Sequence, residues 1–316
     1  MGKMNDWLEV PQPRLGAVGL LVLLVLGSLT APLSLDMYTP SIPNMASYFS
    51  TTDDVVNLTL VGYYLFMAVG LLIFGPLSDK FGRKPVLLVG LVCYCLSSLV
   101  CAASVSIWML IGARVVEALS SGAMNAVCTA VVKDAVKDAY RERMLAIIQI
   151  IFVIGPVAAP IIGAGILVVT SWRGVFVVLA AVSALELLMA LAFKETLPAQ
   201  GRATTSLPAT LARLGHVAKN RAFLFFLLIT SAWEIGYMAY VSVGSYIYID
   251  FFGFSALGTG IGMGLCGFDA AFAAGNSPLV AFAAASAAHL AYSSRSSAES
   301  EDVWPSPTVS SSASTS

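Results

Sequence analysis

Gly75-Pro76-Leu77-Ser78-Asp79-Lys80-Phe81-Gly82-Arg83-Lys84-Pro85 is a short charged stretch set between two long apolar runs, residues 60–74 before it and 86–105 after it. A water-soluble domain has no use for Asp79, Lys80, Arg83 and Lys84 packed between segments that oily. Two membrane-crossing helices do, because each must end where water begins and a short polar, basic turn joins them. The stretch therefore predicts a helical hairpin in lipid, and the rest of the chain is read from it.

Composition agrees. Hydrophobic residues make up 58% of the 316 and charged residues only 11%, against about 25% charged in soluble domains. Mean hydropathy is +0.85. A net charge of −1 points to no polyanionic partner, so nucleic acid is not expected. Cys93, Cys95, Cys101, Cys128 and Cys266 have neither metal-site spacing nor the pattern of a disulfide framework. No metal, cofactor or enzyme constellation is expected, and no Walker loop is present to use ATP. The first apolar run is too long for a signal-peptide core and reads as a retained span.

A span needs roughly 20 apolar residues. Residues 15–35, 58–76, 86–105, 107–132, 144–169, 175–193 and 223–249 meet that need, which predicts seven spans. Residues 36–58 read as a polar excursion between the first two, and 133–143 as a charged loop. The expected organisation is a six-span bundle over 1–193, a connecting loop over 194–221, a seventh span within 222–257, a doubtful eighth over 258–292 and a disordered Ser-rich tail over 293–316. Basic residues set the orientation. Lys3, Arg14, Lys80, Arg83, Lys84, Lys133, Lys137, Arg141, Arg143, Lys194, Arg202, Arg213, Lys219 and Arg221 fall on one side if the spans alternate, and only Arg173 falls on the other. The positive-inside rule then places the N-terminus in the cytoplasm of a cell whose cytoplasmic membrane holds the chain.

Polar residues within the spans are candidate functional groups, because each is costly in lipid unless it faces a cavity or a partner. Arg114 and Glu117 lie three apart on one face of the fourth span. An internal salt bridge and a proton or substrate site are both open to them. Asp36 stands at the outer end of the first span, in Leu35-Asp36-Met37-Tyr38-Thr39-Pro40-Ser41-Ile42-Pro43, either as a proton site or as a water-exposed helix-end charge. Glu234 lies between Trp233 and Tyr237 in the seventh span, a pairing that suits a lipophilic cation; a buried neutral glutamic acid is the alternative. Glu186 reads as a residue that snorkels or pairs with Lys194. Gly155-Pro156 and Pro160 to Gly163 join a helix-kinking residue to one that lets another helix approach. In the loop, Arg83 can reach a carboxylate at the end of a neighbouring span, and Asp134 is the candidate partner.

Several of these stretches resemble one family. The loop at Gly75 is similar to the G-x-L-S-D-x-x-G-R-[RK] loop of major facilitator transporters. Arg114-Val-Val-Glu117-Ala-Leu-Ser-Ser-Gly122 resembles that family's R-x-x-Q-A-L-G, with Glu117 in place of Gln. The Asp36 stretch resembles the D-M-Y-x-P-[AS]-x-P signature of the bicyclomycin/chloramphenicol-type drug:proton antiporters, and Gly155 to Gly163 resembles the antiporter motif, departing from it at Pro160 and Ala164. Trp172 to Phe176 and Glu195-Thr196-Leu197 look like the family's ends of the sixth span.

The resemblance covers about residues 15–255. It implies an all-α integral membrane fold, a six-helix N-terminal bundle with a seventh span and an incomplete second bundle. It also implies proton-coupled efflux of small amphipathic compounds. In that picture Asp36, Arg114 and Glu117 handle protons, while Trp233, Glu234 and Tyr237 touch substrate. Gly75, Asp79, Gly82, Arg83, Lys84 and Asp134 form a conformational latch, and Gly155, Pro156, Pro160 and Gly163 a helix hinge. The expected partners are the bilayer, protons and a small amphipathic substrate. The rival expectations are a truncated or frame-shifted membrane protein that does not transport, and uptake of a small metabolite by the same fold.

Overall fold

The computed structural model describes residues 7–198, 202, 219–247, 249, 253, 255, 258, 259 and 261. Almost all of them lie in long helices, and no strand occurs among them. In lipid every backbone N–H and C=O must be satisfied within the segment, which a helix alone does for a single crossing. In chain order the helices are α1 (Gly16–Asp36), a 3-10 turn (Thr39–Ser41), α2 (Ile42–Tyr48), α3 (Asp53–Phe81), α4 (Arg83–Ala102), α5 (Ile107–Ala135), α6 (Asp138–Val169), α7 (Arg173–Ala192) and α8 (Arg221–Tyr246).

Five stretches among the described residues are long and apolar enough to cross a membrane: Gly16–Tyr48, Asp53–Phe81, Arg83–Ala102, Ile107–Ala135 and Arg173–Ala192. The other two helices expected to cross, α6 and α8, carry shorter apolar stretches, Ile154–Val169 and Phe223–Ala232. Apart from residues 258, 259 and 261, the doubtful eighth span and the Ser-rich tail lie outside the described residues, as does most of the 194–221 connection.

α5 is the central rod. It packs on α3, α4 and α1; α7 packs on α4 and α1; α6 packs on α1. Glycine sets two of these crossings. A Cβ on Gly70 of α3 would stand 2.5 Å from the Leu119 carbonyl oxygen, and one on Gly122 of α5 would run into the Met67 carbonyl. Large apolar side chains such as Val61, Leu65, Val89, Leu96, Leu185 and Leu188 point outward, as they must where the solvent is acyl chain.

Three sequence expectations shift at helix ends. The region 36–58 is a polar excursion only in its second part, where Asn44, Ser47, Ser50, Asp53 and Asp54 are exposed. Met37, Tyr38, Thr39, Pro40, Ser41 and Ile42 are all buried. Pro40 and Pro43 sit in the first turns of the 3-10 turn and of α2, where a missing N–H costs nothing. The stretch at Gly75 is mostly helix. α3 runs through Pro76 to Phe81, and the turn contracts to Gly82, whose φ of 105° only glycine adopts freely. Likewise residues 133–143 are not a loop, since α5 reaches Ala135 and α6 starts at Asp138. The turn between them is held from the N-terminal segment, with Glu9 N–H donating to the Ala135 carbonyl at 2.8 Å and Lys137 N–H to the Trp7 carbonyl at 3.0 Å.

Candidate functional site

Arg114 and Glu117 sit inside the bundle where α1, α4 and α5 meet. Glu117 is ten residues into α5, about 15 Å along it at 1.5 Å per residue. Arg114 is 1% exposed and Glu117 0%, so neither side chain reaches lipid or bulk water. Arg114 Nη1 donates to Glu117 Oε2 at 3.1 Å, to the Ser34 carbonyl at 3.0 Å and to Ser34 Oγ at 3.0 Å. Glu117 Oε1 accepts from Ser98 Oγ at 2.9 Å, and its Oε2 is approached by Cys101 Sγ at 3.9 Å.

The rest of the guanidinium is wrapped in rings. Its carbon lies 4.4 Å from the centroid of Tyr63, 4.9 Å from Tyr38 and 5.7 Å from Phe176. Nε and Nη2 have no hydrogen-bond partner among the described residues and spend their charge on these π faces. Tyr38 is fixed in turn by a 3.0 Å hydrogen bond to Thr59. The pair is thus a desolvated ion pair between a carboxylate and a cation whose hydrogen-bonding capacity is only partly used among the described residues.

Asp36 closes α1, two residues beyond Ser34. It is 3% exposed, so the exposed helix-end reading is wrong. Burial of the following segment encloses it: Thr39 Oγ1 donates to its carbonyl at 2.8 Å, and a Cβ on Gly163 of α6 would collide with the backbone of Met37. The other predicted glycine on α6, Gly155, faces Pro32 of α1, where a Cβ would stand 2.8 Å from the ring. The helical assignment of α6 is unbroken through Pro156 and Pro160. Gly155 and Gly163 therefore mark the surface on which α1 and Met37 just beyond it cross α6.

At the basic end, Arg83 is 6% exposed and links three elements. Its Nε meets Asp134 of α5 at 2.7 Å, as the sequence anticipated, and its Nη1 meets Asp79 of α3 at 2.5 Å and Ser78 Oγ at 2.7 Å. Gly75 has nothing within 4 Å of a built Cβ among the described residues, so close helix approach is not its role there. Gly82 does need to be glycine, because its φ of 105° and ψ of 158° lie in a region closed to other side chains, and Glu195 lies beside it.

That glutamate is a site residue the sequence reading undervalued. Its Oε1 accepts from Arg83 N–H at 3.0 Å and its Oε2 from Lys84 N–H at 3.1 Å. Oε1 also accepts from the N–H groups of Thr196 and Leu197. A carboxylate has been laid on the positive N-terminus of α4. Lys84 answers by donating from Nζ to the Leu191 carbonyl at the end of α7, at 2.8 Å. The serines around Arg114 and Glu117 were missed for a different reason, since Ser34 and Ser98 look like any small residue in an apolar run. Tyr38 and Tyr63 carried the only usable signal, aromatic rings flanking a buried cation.

Trp233, Glu234 and Tyr237 fall within α8, but their side chains lie outside the described residues. Glu186 differs from expectation: it is 1% exposed and makes no ion pair with Lys194, whose backbone instead exchanges hydrogen bonds with the Gln12 side chain at 2.7 and 3.1 Å.

An ion pair shielded at the meeting of apolar helices, with a charged cluster tying helix ends together on one side, marks a polytopic membrane protein. Residues 24–291 match the Major Facilitator Superfamily, and the chain belongs to that family. The match continues past residue 255, where the sequence resemblance had stopped.

Among curated relatives, the uncharacterized MFS-type transporter YdgK of Bacillus subtilis is 33% identical over 241 residues, covering 75% of this chain and 60% of the relative. The bicyclomycin resistance protein homolog of Haemophilus influenzae is 29% identical over 237 residues, 72% of this chain and 57% of the relative. The multidrug resistance protein MdtL of Klebsiella pneumoniae is 30% identical over 226 residues, 71% of this chain and 56% of the relative. The chain thus spans a little over half the length of these relatives. Among solved structures, a bacterial homolog of the human lysosomal transporter Spinster, inward-facing and occupied, superposes with a TM-score of 0.67 at 16% identity, covering 82% of this chain and 62% of that one. The human organic anion transporter MFSD10 (TETRAN) gives 0.56 at 21% identity, over 85% and 72%. At these identities the likeness is one of fold.

Proposed function

We propose that the chain works in proton-coupled efflux, exchanging protons for small amphipathic compounds across the cytoplasmic membrane by alternating access. The observation that carries this reading is the Arg114–Glu117 pair, buried where α1, α4 and α5 converge. Two relatives at about 30% identity are named for bicyclomycin resistance and multidrug resistance, which supports drugs over metabolites as cargo.

Glu117 takes up a proton and Arg114, held by Ser34 and its rings, keeps its charge. Neutralising the carboxylate weakens its hold on the guanidinium, so α5 and α1 shift against each other and the proton and the cargo compete for one state. Asp36 is the second acidic partner on α1. Glu234, with Trp233 and Tyr237, receives a cationic or amphipathic substrate from α8. The Asp79–Arg83–Asp134 cluster, with Gly82 and Lys84, acts as a latch on the cytoplasmic side and keeps the N-terminus inside. α6, pressed on α1 at Gly155 and Gly163, is the rocking surface. The test is uptake by everted membrane vesicles from cells expressing the chain. ΔpH-dependent accumulation of a lipophilic cationic dye is expected, with loss in Glu117→Gln. Accumulation that ignores the proton gradient contradicts the proposal.

A further inference from the structure

Glu186 is a buried acid that the mechanism above leaves unused. It lies on α7, six residues before Ala192 and so about 9 Å from the helix end that carries the basic cluster. It is 1% exposed and enters no ion pair among the described residues. One oxygen, Oε1, accepts a long 3.4 Å hydrogen bond from Thr30 Oγ1 of α1, a hydroxyl that also lies 3.1 Å from the Leu26 carbonyl. The other, Oε2, has no hydrogen-bond partner among the described residues.

Among the described residues its surroundings offer no cation. α5 presents Cys128 beside it. Between its ends α1 contains no charged side chain, and the only one within its bounds is the terminal Asp36. The titratable groups within α4 are Cys93, Tyr94, Cys95 and Cys101, and its Arg83 and Lys84 stand in the first turn at the basic end. On α6 the charged residues, Asp138, Arg141, Glu142 and Arg143, also cluster in the opening turns. An ionised carboxylate with one weak donor and no counter-charge among the described residues carries a heavy desolvation cost, whereas a carboxylic acid does not.

Thr30 is one helical turn from Ser34 on the same face of α1. Ser34 holds Arg114, and Thr30 holds Glu186. Two acids are therefore threaded on one side of α1, Glu117 through Arg114 and Glu186 one turn nearer the basic end. We propose that Glu186 is a second proton-binding site, set between the Arg114–Glu117 pair and the basic end of the bundle. A hydronium ion that comes from that end into hydrogen-bond contact with Oε2 gives it a proton and leaves as water; the reverse step returns the carboxylate and a hydronium. This deepens the proton-coupled reading and rests on it for its use in transport, though proton binding itself does not.

The test is infrared difference spectroscopy of the purified chain in proteoliposomes. Wild type at neutral pH is expected to give a protonated-carboxyl C=O band that moves in D2O. Glu186→Gln should lose it and Glu117→Gln should keep it. Thr30→Val, which removes the donor, should shift the band to higher wavenumber, and it decides the matter if Glu186→Gln does not insert. No such band in wild type, or a band indifferent to Glu186→Gln and to Thr30→Val, overturns the proposal. Dye uptake in the same vesicles separates the two readings. The Glu186 band without ΔpH-driven flux keeps this site and fails proton-coupled efflux; flux without the band does the opposite.

Discussion

Arg114 is held by one nitrogen and three rings, and that division decides how substitutions there behave. All three hydrogen bonds leave from Nη1, while Tyr38, Tyr63 and Phe176 face the rest of the group. Glu117→Ala strips the counter-charge from a buried cation, a change that typically costs about 3–5 kcal/mol. Its melting temperature in detergent should fall clearly below that of Glu117→Gln, which keeps an acceptor for Ser98 and Arg114. Equal melting temperatures for the two, both below that of the unaltered chain, would mean that the lost charge and not the lost acceptor sets the cost, since both variants are neutral at this position. Arg114→Lys keeps the charge but loses the flat stacking face. It should be destabilised as well, and Tyr63→Leu should account for about 1–2 kcal/mol of that loss.

Helix ends are where this sequence was hardest to read, and they are where the packing is most specific. Prolines mark ends in water, yet here Pro76 lies inside α3 and Pro156 and Pro160 lie inside α6. The span expected to end at Pro76 runs on to Phe81, whereas the span expected to contain Pro156 and Pro160 ends at Val169, as α6 does. The Arg83–Asp134 contact was legible because a loop arginine needs a carboxylate and Asp134 closes a neighbouring span. Glu195 was not, because a cap made by a distant carboxylate leaves no periodic trace. Glu195→Ala exposes the first N–H groups of α4 and should cost about 1–2 kcal/mol, read as faster amide hydrogen exchange at Arg83 and Lys84. Unchanged exchange there would show that water replaces the cap without loss. Gly82→Ala should be worse, since its backbone sits in a region nearly closed to side chains, a strain of about 1–3 kcal/mol, and Glu195 must also move aside.

At the scale of the whole molecule, composition and the apolar runs were enough to read a helical membrane bundle, and the resemblance of the Gly75, Arg114, Asp36 and Gly155 stretches to known motifs supplied the family. They were not enough to read the inside of it. Asp36 and Glu186 both read as near-interface charges from their distance to a span end, and both are buried, because burial in a bundle depends on which neighbour covers a helix end and not on depth alone. Orientation is open to direct measurement. A cysteine in place of exposed Tyr140, at the basic end, should react with a membrane-impermeant maleimide in everted vesicles. One in place of Val105, 80% exposed at the opposite end, should react in intact cells. The reverse pattern would invert the topology.

The account stands on Glu117 giving up a proton when cargo arrives, and that can be watched without any gradient. Purified chain in weakly buffered detergent solution, mixed with a lipophilic cationic drug, should acidify the medium as the drug binds, and Glu117→Gln should abolish the acidification. Drug binding with no proton released, or release undiminished in Glu117→Gln, would contradict it.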